Sequence, residues 1–181
     1  MVGWGLAKTI RMAVPREVID PEILQNVRQE MLDEYRRNPV VDSVPYPGVT
    51  DLLDELEEME FPVAIISNKE DPITQQVVWR IFGNYPFVGV IGSSTKFPPK
   101  PNTAGAEYLL KKVGFPADRV LFVGDTAMDM ETARLVGACP VGVSWGYRDP
   151  EELVEAGAYR IIDSVGEVFD LLRGKLAEGK L

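Results

Sequence analysis

Asp125 and Asp129 follow directly on the run Val120-Leu121-Phe122-Val123-Gly124. A continuous apolar run ended by glycine reads as a parallel strand buried on both faces, and the pattern after it is helical. The first acid therefore stands at the C-terminal edge of a strand, where open α/β sheets place their ligands, and the second in the first turn of the next helix. Two carboxylates at that spacing repel unless a cation lies beside them. Magnesium, a hard ion that takes oxygen ligands, suits the pair. Helix capping is the plainer alternative, because acids in a first turn favour the helix dipole. It accounts readily for one acid and less readily for two.

Two further clusters fall at strand ends or in the loops beyond them. Ser67, in Ile65-Ile66-Ser67-Asn68-Lys69, offers a hydroxyl and a backbone amide suited to a phosphate oxygen, although Ser67 and Asn68 serve equally well to begin a turn. Lys100, in Pro98-Pro99-Lys100-Pro101, is aimed by a backbone that its prolines stiffen. A fixed cation at a phosphoryl site stabilises transition-state charge; the alternative is a solvated loop lysine. Lys96 is a weaker rival for that role.

The elements that must position these groups alternate. Asp20-Pro21 is an N-cap followed by proline at the first helical position, and Ile23, Leu24, Val27, Met31 and Tyr35 recur at helical spacing to about Arg37. A shorter helix is expected from Gly5 to Ala13. No strand pattern occurs in this part, and Val44-Pro45-Tyr46-Pro47-Gly48 is a rigid turn at its end. Strands are then expected over 62–68, 88–92, 120–124, 140–144 and 159–162. Helices are expected from Val49 to Met59, Pro72 to Phe82, Thr103 to Val113, Met128 to Val136, Asp149-Pro150 to Gly157, and Val165 to Leu176. The alternation implies an α/β fold, a Rossmann-like, largely parallel sheet covered on both faces. Two units follow: a helical module over 1–44 and an α/β core over 45–181.

Composition narrows the functions. The 181 residues suffice for one core with a small appendage, and 19 basic against 28 acidic residues give a net charge of −9, so no nucleic-acid partner is expected. There is no histidine, which excludes histidine bases and histidine metal ligands. The lone Cys139 lies in an apolar run and reads as a buried structural thiol. No stretch approaches the ~18 apolar residues of a membrane span. The N-terminus lacks the pattern of a signal peptide, so neither membrane nor secretion is expected, and a cytoplasmic location follows by elimination.

Taken in order, Ile66-Ser67-Asn68-Lys69, Lys100-Pro101-Asn102, Val123-Gly124-Asp125-Thr126-Ala127-Met128-Asp129 and Gly142-Val143-Ser144-Trp145-Gly146-Tyr147 resemble the haloacid dehalogenase-like phosphohydrolases, in particular the phosphoglycolate-phosphatase-like branch. The turn at Pro47-Gly48 and Ala156-Gly157-Ala158-Tyr159 also fit. The resemblance covers the chain from Pro45 onward, and the helical N-terminal part looks like a cap domain entered partway. It implies a Mg²⁺-dependent phosphatase acting on a small phosphorylated metabolite, with phosphoglycolate the leading candidate. Ser67 would hold the phosphoryl group, with Asn68 supporting it or touching substrate. Lys100 would neutralise the phosphate and the nucleophile. Asp125 would contact the ion, and Asp129 would help through its water shell. The loop from Trp145 to Tyr147 would lie near the site or serve as a structural turn.

One feature of that family has no match. Its nucleophile is the first aspartate of an Asp-x-Asp motif at the end of an N-terminal strand; the second acts as general acid/base. Asp20, Asp33 and Asp42 follow no apolar strand, and Asp51 and Asp54 sit in a helical pattern. That strand is central in the family's sheet, so without it the neighbours either expose unpaired edges or close up. Three accounts stand: a chain that is part of a longer protein, which is preferred; a strand supplied by a separate chain, as a partner or in a homo-oligomer; or a non-catalytic binding or assembly module. A phosphoreceiver domain also places acids at strand ends. It needs an acidic pair after its first strand and a phosphoacceptor where Ser67 stands.

Overall fold

Asp20 accepts a hydrogen bond from the Glu22 amide through its side chain, and with Pro21 beside it opens helix α1 (Pro21–Arg37) as the sequence predicts. The structure is a computed structural model that describes Ile10, Arg11, Ala13 and residues 20–177. Of the expected Gly5–Ala13 helix, Ile10, Arg11 and Ala13 are helical, and the rest lies outside the described residues. Along α1, Leu24, Val27 and Met31 are half-buried and Leu32 is buried, whereas Ile23 and Tyr35 remain exposed.

From Val49 onward the alternation holds. The order is α2 (Val49–Glu58), β1 (Ala64–Glu70), α3 (Asp71–Phe82), β2 (Gly89–Ser93), α4 (Ala104–Val113), β3 (Leu121–Gly124), α5 (Ala127–Val136), β4 (Cys139–Val143), α6 (Pro150–Glu155), β5 (Arg160–Ile162) and α7 (Glu167–Ala177). Gly114 and Gly137 stop α4 and α5 at φ 81° and 78°, a left-handed conformation that other residues rarely adopt.

β4 is buried at every position. Its alternate residues Cys139, Val141 and Val143 join Leu56 of α2 and Val168 and Leu172 of α7 in the main core cluster. On the opposite face, Gly142 leaves no room for a side chain: a Cβ there would meet Leu153 of α6 at 3.0 Å and Ile161 at 2.6 Å. Helices therefore cover both faces, and Cys139 is buried as expected.

The strands are parallel throughout, but they form two pieces rather than one sheet. Among the described residues β1 pairs only with β2, and β3–β4–β5 form the other piece. β1 and β3 flank a mostly apolar cavity of about 530 Å³, lined from one side by Ala64–Ile66 and from the other by Leu121–Val123. Of the two outcomes expected, the flanking strands stay apart, and among the described residues their facing edges have no strand partner. α4 holds the pieces together, packing on β1 and on α5.

Candidate active site

Ser67, Lys100, Asp125 and Asp129 come from three separate strand–helix units, yet all line one cavity of about 980 Å³. It opens along the second half of β1 and beyond the end of β3. Arg28, Leu32 and Tyr35 of α1 form its other wall.

Asp129 anchors the site. Its Oδ1 accepts from the Lys100 ammonium at 2.5 Å, and its Oδ2 accepts from the Thr126 backbone N–H at 3.1 Å and from the Thr126 hydroxyl at 2.6 Å. Thr126 and Asp129 thus form a capping box at the start of α5, so both readings of this acid hold at once: it caps the helix and it pairs a cation. Its side chain is 6% exposed and that of Lys100 10%. The approach depends on Gly124, where a Cβ would lie 2.4 Å from the Asp129 Cβ.

Lys100 is held from three sides. Its ammonium also donates to the Ile66 carbonyl at 3.1 Å, which ties it to β1. Asn68 grips its main chain, donating from Nδ2 to the Lys100 carbonyl at 3.1 Å and accepting the Lys100 amide at Oδ1 at 2.6 Å. The Lys100–Pro101 peptide is cis. Lys100 is therefore a buried, aimed cation rather than a solvated loop lysine. Lys96 instead lies over the rings of Phe97 and Tyr108, 5.0 and 5.5 Å from their centroids. The Ser67 hydroxyl accepts the Lys69 amide at 3.1 Å within β1, where the pairing with β2 shifts register between Ile66 and Glu70, so Ser67 lines the cavity from the strand rather than beginning a turn.

Asp125 is fixed by one oxygen. Its Oδ2 accepts the Tyr147 amide at 3.0 Å, and Gly146 permits the approach, since a Cβ there would lie 2.2 Å from the Asp125 Cβ. Its Oδ1 has no hydrogen-bond partner among the described residues. Magnesium commonly binds one or two carboxylates and fills its octahedron with waters and phosphate oxygens. Asp125 suits that arrangement as a direct ligand. Asp129, with both oxygens engaged, suits contact through water. No cluster of three or more acidic, histidine or cysteine side chains able to hold a metal occurs among the described residues. The Trp145–Tyr147 loop divides: Tyr147 lines this cavity, whereas Trp145 packs on the core.

Sequence reasoning missed part of the wall. Glu70 accepts from Arg28 at 3.3 Å and pairs with Arg36 at 3.6 Å, which ties α1 to β1. The Lys69 ammonium sits 4.6 Å from the centre of the Tyr35 ring. No local pattern announces contacts between residues so far apart in the chain. Thr126 could have been found, because Thr-x-x-Asp before a helix is a capping-box signature.

Comparison with known proteins agrees with this geometry. The family profile described as haloacid dehalogenase-like hydrolase matches residues 7–143, reaching well upstream of Pro45. A phosphoglycolate phosphatase of Pseudomonas savastanoi pv. phaseolicola is 27% identical over 168 residues, covering 91% of this chain and 61% of the relative. The chain thus spans less than two thirds of that relative. An N-acetylmuramic acid 6-phosphate phosphatase of Pseudomonas aeruginosa is 27% identical over 179 residues, covering 98% of this chain and 79% of the relative. In fold, the chain superimposes with a TM-score of 0.83 on a predicted phosphoglycolate phosphatase from Haemophilus somnus, at 22% identity and over 94% of this chain and 78% of the other. A profile that matches most of the chain, relatives along nearly all of it and a shared parallel α/β fold place this protein in the haloacid dehalogenase-like hydrolase family, among its phosphoglycolate-phosphatase-like members.

Proposed function

We propose that this chain carries the phosphate- and metal-binding half of a Mg²⁺-dependent phosphatase that acts on a small phosphomonoester, with phosphoglycolate the leading candidate. One observation carries the reading: Ser67, Lys100 and Asp125 converge on one cavity from distant parts of the chain. Ser67 holds the phosphoryl oxygen. Lys100, kept in place by Asp129 and Asn68, faces the phosphate charge. Asn68 acts by positioning Lys100, since its amide is spent on that main chain. Asp125 would hold the ion directly and Asp129 would help through its water shell. When bound, magnesium would supply charge neutralisation for the phosphate. Within the expected unit of 1–44, α1 serves as a partial helical cap over the core of 45–181 and screens the cavity from water.

No carboxylate free to act as nucleophile lines the cavity among the described residues: Glu70 is paired with arginines, Asp129 is fully bonded, and Asp125 is assigned to the ion. The 181-residue chain is therefore expected to bind phosphate in the presence of Mg²⁺ and to hydrolyse p-nitrophenyl phosphate slowly or not at all. A chain extended upstream by an Asp-x-Asp strand is expected to hydrolyse it. Absence of Mg²⁺-dependent phosphate binding by the 181-residue chain sinks this reading.

A second reading rests on the split sheet. Edges of β1 and β3 that have no strand partner among the described residues face a mostly apolar slot and suit a segment that adds as a strand between them, from a partner or a second copy. On this view the chain is a binding or assembly module. Light scattering of the purified chain separates the two: a strict monomer that hydrolyses nothing and captures no strand counts against assembly.

A further inference from the structure

We propose that Arg119 anchors an acidic side chain, so that the slot between β1 and β3 takes an extended apolar segment of a partner with an aspartate or glutamate at its Arg119 end. The inference rests on the second reading above, the slot as a strand site, and deepens it by stating what the segment must carry. Arg119 closes a 3₁₀ turn (Ala117–Arg119) two residues before β3 begins, so it lies at the end of the slot away from Asp125. Among the described residues only Arg119 and Asp129 bring charge to the lining. Asp129 stands at the other end, with both its oxygens engaged.

The Arg119 guanidinium has no counter-charge. Its Nε is shut off from water and has no hydrogen-bond partner among the described residues. No ion pair reaches the group there either. It lies on the face of the Phe115 ring, 5.4 Å from the centroid, and Phe115 in turn stacks on Phe61 with the two rings 8° from parallel. The rings fix the guanidinium in place without neutralising it. Arginine grips a carboxylate by two parallel N–H bonds, and the Nε–H is one donor of a side-on grip. A buried Nε without an acceptor costs free energy until one arrives.

The walls set the rest of the segment. Leu53 and Leu56 of α2, Leu172 of α7, and Ala106 and Leu109 of α4 line the slot. A strand so enclosed reads as a continuous apolar run rather than an alternation. The facing stretches Ala64–Ile66 and Leu121–Val123 cover about 10 Å of strand at ~3.3 Å per residue, so the acid falls just outside the run. The described residues have no such segment to spare: their apolar runs beside acids, 61–66 after Glu60 and 120–124 before Asp125, already go into β1 and β3. A second copy would have to give up its own sheet, so the segment is a partner's.

Fluorescent peptides test this by anisotropy on the 181-residue chain. Each has the run Val-Ile-Val-Ile, with glutamate or glutamine directly before or directly after it and the same Gly-Ser-Asn tail at the other end. Parallel insertion brings the leading residue to Arg119, and antiparallel insertion the trailing one. In one of the two orders the glutamate peptide should bind the wild type about tenfold tighter than its glutamine counterpart. The preference should fall to near parity in Arg119→Met and persist in part in Arg119→Lys. The glutamine peptide should bind Arg119→Met as it binds the wild type, which shows that the variant is folded. Should Arg119→Met fail to fold, Arg119→Lys carries the test, and an unchanged preference there overturns the inference. Equal binding of glutamate and glutamine peptides to the wild type in both orders overturns it while the strand site stands, as does a preference that Arg119→Met retains. If no peptide binds, the strand reading fails and this inference goes with it. Arg119-dependent binding of dodecanoate with no peptide bound marks a lipid pocket and overturns it too.

Discussion

Replacing Asp129 by asparagine separates the two tasks of that carboxylate. The amide keeps a carbonyl oxygen for the Thr126 N–H and hydroxyl, so the cap on α5 survives. What is lost is the charge opposite Lys100. Both side chains are at most 10% exposed, so Lys100 becomes a buried cation left with the Ile66 carbonyl and the face of the Phe122 ring, 6.0 Å from its centroid. Removing one partner of a buried ion pair costs about 3–5 kcal/mol, and the retained amide places this variant near ~3 kcal/mol. For a chain of this size each kcal/mol moves the melting temperature by about 2–4 °C, so a fall of roughly 6–12 °C is expected. Lys100→Met should cost less, about 1.5–3 kcal/mol, because Asp129 keeps two donors from Thr126. The double variant should be more stable than Asp129→Asn alone, since it leaves no uncompensated charge. Urea and thermal unfolding followed by circular dichroism, in buffer with a chelator, measure all three. An Asp129→Asn variant within about 1 kcal/mol of wild type, or a double variant whose cost equals the sum of the singles, shows that the pair is solvated and the reasoning wrong.

Other consequences follow from single contacts. Gly124→Ala puts a methyl 2.4 Å from the Asp129 Cβ, so it should destabilise the chain by about 1–3 kcal/mol and weaken Mg²⁺-dependent phosphate binding, checked by unfolding and calorimetry. Lys69→Met should be more stable than wild type at neutral pH. Burial lowers the pKa of Lys69, which means that the unfolded chain holds that proton more readily, so wild-type stability rises as pH passes its folded pKa toward the ordinary lysine value, and the gap between the two proteins should close in alkaline buffer. A gap that widens with pH refutes the burial argument. Amides of β1 and β3 that point into the slot should exchange hydrogen faster than those bonded to β2 and β4, as mass spectrometry of short peptides or NMR would show.

Sequence made legible what is local. The order of elements from Val49, the glycine stops at Gly114 and Gly137, and the cap at Asp20 are set by residues close in the chain, and each stands where its pattern puts it. The convergence of Ser67, Lys100 and Asp125 was readable because parallel strands send their C-terminal ends to one side. The tie between Glu70 and α1 was not, nor was the pairing of Lys69 with Tyr35, because each depends on how a helix comes to rest on the sheet. Trp145 and Tyr147 look alike in sequence, being aromatic residues flanking a glycine; only the turn decides that one enters the core and the other faces the cavity.

The split sheet and the assembled rim appear at odds, since a central gap ought to loosen the groups around it. The bonds of the rim remove the conflict. Asp129 is set by Thr126 within one helical turn, Asp125 by the loop at Gly146-Tyr147, and Lys100 by Asn68 and Asp129 acting on main chain and ammonium. None of these bonds needs a strand in the slot, although Asp129 lines it. The Lys100 ammonium even bridges the two sheet pieces at the rim, joining the Ile66 carbonyl of β1 to the acid of α5 beyond β3. The proposed anion site is therefore held by bonds that do not depend on a strand between β1 and β3. Binding of phosphate and attack on it should accordingly be separable: variants at Lys100 or Asn68 should impair phosphate binding whether or not a strand occupies the slot, whereas filling the slot with an acid-bearing strand should change the rate far more than the affinity.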